Sequence, residues 1–192
     1  MRRLTELANA TITASALFTA IAVLGPHLSS AQMSPTQTPH SDVPAAIAVP
    51  ADATLVLKAH ATGSQIYTCK SGPDGKFIWT LKAPDAQLFD ATNPDKMIGH
   101  HGAGPSWMLD DGSKVTGKAA AHVDSPDGNS IPWLLVNVTD NDKKGLLAKV
   151  TMIQRLHTEG GKAPDIGCDE THKDTETNSS YTADYYFYAP SK

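Results

Sequence analysis

The run Tyr181-Thr182-Ala183-Asp184-Tyr185-Tyr186-Phe187-Tyr188-Ala189 sets Tyr181, Ala183, Tyr185 and Phe187 at every second position. A strand sends alternate side chains to opposite faces, so these four share one face and the run reads as a closing β-strand. The same period of two recurs upstream. Ala53, Leu55, Leu57 and Ala59 alternate with Thr54, Lys58 and His60, and Phe77, Trp79 and Leu81 alternate with Lys76, Thr80 and Lys82. Pro73-Asp74-Gly75 and Asp111-Gly112 separate strand-like runs and read as hairpin turns. Residues 131–138 are apolar on both faces, as a central strand would be. Residues 140–145 form a polar turn, and 146–157 read as one long β segment. Residues 83–90 are the one helical candidate. The pattern predicts an all-β fold, an antiparallel β-sandwich or barrel of about eight or nine short strands with at most one short helix.

The amino terminus has a different character. Arg2 and Arg3 precede an apolar stretch strongest over residues 14–24, followed by Gly25-Pro26 and then Ser29-Ser30-Ala31. That order reads as a secretory signal peptide over residues 1–31, cleaved after Ala31. A membrane anchor would need about 20 continuous apolar residues, and Gly25-Pro26 interrupts this run. Removing 31 of the 192 residues leaves 161, the length of one domain. Residues 32–45 are rich in Pro, Ser and Thr and read as a flexible linker, leaving 46–190 as a single β-rich domain. Cleavage removes Arg2, Arg3 and Glu6 and moves the formal net charge from −4 to −5. A mildly acidic, unclustered balance argues against nucleic acid and anionic membrane surfaces as partners. A hydrophobic fraction of 40 % is too high for a disordered chain. The expectation is a secreted or periplasmic monomer with no transmembrane segment in the mature chain. In an oxidising compartment the two cysteines, Cys69 and Cys168, are expected to form a disulfide; free thiols or a shared metal site are the alternatives.

Several groups are candidates for chemistry. His100 and His101 lie among glycines in Gly99-His100-His101-Gly102-Ala103-Gly104-Pro105-Ser106-Trp107. Imidazole suits zinc or copper, and His157 could supply a further ligand. Adjacent histidines on an extended segment point opposite ways, however, so no cofactor is the first expectation and a divalent metal the alternative. Arg155 and Asp184 each sit inside an apolar strand and would satisfy one another as an ion pair across neighbouring strands. No Gly-x-Ser-x-Gly elbow is present. Trp107, Tyr186, Tyr188 and His100 are the candidate ligand-binding residues, with the two tyrosines alternating away from Phe187 as an exposed stacking face. The first functional expectation is therefore a non-enzymatic domain that binds a carbohydrate or another cell-envelope polymer. The alternative is a metal-dependent or hydrolytic enzyme centred on His100, His101 and His157.

Six strings occur in order: residues 63–69, 99–107, 111–115, 131–135, 153–155 and 181–188. Together they resemble the secreted bacterial and fungal proteins grouped as domain of unknown function 3455. The resemblance spans roughly residues 47–190. It implies one exported β-rich domain without an established activity, and it supports pairing Cys69 with Cys168. It also implies an aromatic and an acidic residue where this chain carries Gly102 and Met108, so any acidic role in that string is lost here.

Overall fold

The structure, a computed structural model, describes residues 42–191. The signal-peptide stretch and linker residues 32–41 lie outside the described residues. The period-two runs become strands of unequal length. β1 (Thr54–Ser71), β2 (Phe77–Asp90), β3 (Asn93–Gly102), β4 (Ser106–Leu109), β5 (Lys114–Val123), β6 (Trp133–Asn141), β7 (Met152–Gly160) and β8 (Glu176–Ala189) follow one another in the chain. Each pairs antiparallel with the next, and β8 returns to pair with β1, closing an up-and-down barrel. Closure gives every strand a partner on both sides and so removes the free edges that an open sheet would carry.

Inward and outward faces follow from the register. Ala59 opposes Tyr185 and Ala61 opposes Ala183 across β1 and β8. These residues, with Ala86, Leu88, Trp107, Val136, Ile153 and Phe187, fill the interior. An eight-stranded barrel is just wide enough for side chains to fill. Small residues on β1 and β2 accordingly face large aromatics on β4 and β8. Trp107 meets Tyr185 and Phe187 edge-on, with ring centroids 5.6 and 6.4 Å apart. Gly63 lets β1 lie tightly against β2, since a Cβ there would overlap the Asp85 carbonyl oxygen and Ala86.

A second cluster lies outside the barrel. Val43, Val49, Ala53 and Leu55 pack with Ile47 over Trp133, Leu156, Tyr186 and Tyr188. Gln154 Nε2 fastens this segment by donating to the Ile47 carbonyl at 2.7 Å. The covering explains why 131–138 is apolar on both faces: Val136 faces the interior and Trp133 the covered exterior. It also corrects the stacking-face expectation. Tyr186 and Tyr188 do point away from Phe187, but they are 1 % and 6 % exposed beneath the amino-terminal segment. Within the stretch expected to be a flexible linker, Val43 packs in this covering.

Two local readings change. Residues 83–90 are the second half of β2 rather than a helix, with Ala86 and Leu88 facing inward. Ala, Gln and Leu are good helix formers, but pairing with β1 and β3 overrides that weak preference. Residues 146–157 are not one strand: β7 begins at Met152, and Leu147 and Val150 are buried in the interior core from a turn held by Asn141 Nδ2. The hairpin turns at Pro73-Asp74-Gly75 and Asp111-Gly112 lie where the sequence puts them. Cys69 and Cys168 form a disulfide that ties the end of β1 to the loop before β8.

Candidate ligand site at the barrel mouth

β3 separates the two adjacent histidines. His101 opposes Trp107 across β3 and β4 and faces the interior, while His100 opposes Met108 and is exposed outside. His101 is 3 % exposed. Its ring stacks on Trp107 at 4.4 Å and 12° and leans on Tyr185 at 5.1 Å. Burial pushes the His101 imidazole down to about 4, the Arg155 charge pushes the same way, and a hydrogen bond to Ser106 opposes them. The ring is therefore neutral at pH 7. Nδ1 lies 2.9 Å from the Ser106 carbonyl oxygen, which can only accept, so Nδ1 carries the proton and Nε2 is an acceptor.

Arg155 also faces inward, because it opposes Tyr185 in the β7–β8 register. Its Nε and one terminal nitrogen donate to the Pro132 carbonyl at 3.2 and 2.8 Å. This overturns the expected pair with Asp184. Asp184 opposes Leu156, one position along, and so points out of the barrel. There its carboxylate meets Lys58 at 2.9 Å, His60 at 2.9 Å and His157 at 3.1 Å. Partial burial opposes ionisation of Asp184, yet the three donors outweigh it and hold the carboxyl below the usual range.

The three histidines considered as metal ligands are also set apart by strand position. His100 is outside on β3, His101 is inside, and His157 is outside on β7, where its φ of 50° lies at a register shift. Among the described residues, no group of three or more His, Cys, Asp and Glu is arranged to hold a metal ion.

The structure instead gathers Gln65, His101, Trp107, Arg155 and Tyr185 around one cavity of about 280 Å³ at the barrel mouth. Leu81, Pro84, Pro105, Leu134 and Val136 supply apolar walls. Gln65 and Trp107 are each 2 % exposed, and Gln65 Nε2 and Trp107 Nε1 have no hydrogen-bond partner. A buried donor left unpaired costs about 1–3 kcal/mol, so two beside one cavity need an explanation. A cavity of about 230 Å³ at the other end, lined by Leu57, Lys96, Ile98, Asp110 and Leu146, touches neither of them. Beyond the mouth, the loop carrying Cys168 is held by the disulfide, by Tyr67 donating to the Gly161 carbonyl and by Trp79 donating to the Ile166 carbonyl.

Of the residues picked out from the sequence, Trp107, His101 and Arg155 reach this site, while His100, His157, Tyr186 and Tyr188 do not line it. Gln65 and the places of Tyr185 and Arg155 at the mouth were not expected. Their signal was a polar group at an inward position: Gln65 continues the spacing of Ala59, Ala61 and Gly63.

Fold and site together define a closed antiparallel β-barrel with a cavity at one mouth lined by aromatic and polar side chains. The chain belongs to the family described as protein of unknown function DUF3455, which matches residues 50–189, as the ordered strings led us to expect. No curated protein and no solved structure matches the chain.

Proposed function

We propose that the protein is an exported, non-enzymatic binding domain that takes one small organic molecule into the barrel mouth. The observation that carries this reading is the pair of buried, unpartnered donors, Gln65 Nε2 and Trp107 Nε1, beside a single cavity with apolar walls. Small-ligand sites combine such walls with a few placed polar groups. The cavity volume lies near the lower end for such sites, which are roughly 300–1,000 Å³. A carbohydrate reading survives as a single sugar unit entering the mouth, because the tyrosine face proposed for a polymer is covered. Hydrolysis by His100, His101 and His157 has no comparable support, since they do not share one face of the barrel. Export is supported by the signal-like residues 1–31 and by the disulfide.

Calorimetric titration of the purified protein with monosaccharides, sugar acids and small aromatic acids tests the reading. A binder is expected, with affinity reduced about tenfold in Gln65→Leu, the effect of losing one hydrogen bond of about 1.4 kcal/mol. Absence of heat with every compound would refute it. Amino-terminal sequencing of secreted material should begin at Gln32.

A further inference from the structure

We infer that the mouth takes an anion, and that its ligand is a small monocyclic carboxylate bearing a hydroxyl group. This rests on the mouth-site reading and adds the chemistry of what enters. Arg155 is a permanent cation facing the barrel interior, and among the described residues no carboxylate lies within 4.0 Å of it. The ion pairs among the described residues involve other groups, and Asp184, which opposes the neighbouring Leu156, is turned to the opposite face. A partly desolvated cation calls for a counter-charge.

Its donors are only partly used. A guanidinium has five N–H groups. Two serve the Pro132 carbonyl. The remaining three are enough to meet both oxygens of a carboxylate. Gln65 Nε2 and Trp107 Nε1 add further donors to the same lining. Donors thus outnumber acceptors at the mouth, and the guanidinium charge is felt at Tyr67, His101, Tyr181 and Tyr185. The acceptors are the Gln65 amide oxygen and His101 Nε2, and an acceptor among donors selects a ligand hydroxyl. A bare inorganic anion would leave Leu81, Leu134 and Val136 uncovered. A cavity of about 280 Å³ holds roughly nine water volumes at about 30 Å³ each, which suits a single ring.

The test is titration of the purified, disulfide-bonded protein with 4-hydroxybenzoate, its methyl ester, benzoate, galacturonate and galactose. At least one hydroxy acid is expected to bind about tenfold or more tightly than its neutral counterpart, and whether it is the aromatic or the sugar acid identifies the source. Benzoate should bind more weakly than 4-hydroxybenzoate if the aromatic acid is the ligand. Arg155→Met should abolish the preference for acid over ester while weak ester binding persists, and Arg155→Lys should retain part of it. Equal binding of acid and neutral forms would overturn the anion inference and leave the mouth site standing. No binding by any compound would overturn both.

Discussion

Acidification from pH 7 to pH 5 isolates the buried imidazole of His101. Burial lowers this group from an ordinary 6.5 to about 4, so the folded chain resists a proton that the unfolded chain accepts. Below pH 6.5 the unfolded state therefore binds more protons, and stability falls as pH falls until the folded group also protonates near pH 4. The full contribution is about 3.5 kcal/mol, from a difference of roughly two and a half pKa units at about 1.4 kcal/mol each. Between pH 7 and pH 5 the loss is about 2 kcal/mol, and for a domain of this size it should lower Tm by about 4–8 °C. His101 is almost fully buried, so little solvent screening reduces the figure. Asp127, Asp169 and Asp184, all held below the usual carboxylate range by hydrogen bonds, lose their contributions at lower pH and leave this window clear. The assay is urea denaturation at half-unit pH steps, run beside His101→Phe. Phe keeps a ring against Trp107 but cannot titrate, so its stability should fall by about 2 kcal/mol less than the wild type over the same interval. Parallel pH profiles for the two proteins would refute a neutral, buried His101.

Two further outcomes follow from the covalent tie and from the outer ion cluster. Reduction of Cys69–Cys168, which are 99 positions apart, should cost about 4–5 kcal/mol in the chain-entropy account; urea midpoints with and without reductant measure it, and an unchanged midpoint would contradict it. Asp184→Asn should cost about 1–2 kcal/mol, because Lys58, His60 and His157 lose their shared carboxylate while remaining partly solvated. The wild-type contribution of Asp184 is present above the unfolded carboxylate value of about 3.9 and disappears as pH falls through the lower folded value, so stability curves of wild type and variant should converge at acid pH.

The alternation in β8 and the turn residues at 73–75 and 111–112 made the strands legible, because a period of two and a Gly-containing turn are local properties. Register is not local. Reading Arg155 and Asp184 as partners required knowing which residue of β7 opposes which residue of β8. The actual pairs, Arg155 with Tyr185 and Leu156 with Asp184, differ from that reading by one position and place the two charges on opposite sides of the wall. Parity likewise sent Tyr186 and Tyr188 to the face opposite Phe187, but parity does not say what covers that face. The segment around Ile47 does so from across the chain.

In a closed barrel an inward position is enclosed whatever the residue there, so polar groups at inward parity are the informative ones. Ala59, Ala61, Gly63 and Gln65 form one inward series on β1, and Ile153 and Arg155 form another on β7. Each series becomes polar as it approaches the same end of the barrel. A barrel meant only to be filled would have continued them with apolar side chains. Two series turn polar at one end, where His101 arrives on β3, and it is there that the proposed ligand would complete the hydrogen bonds of Gln65 and Trp107.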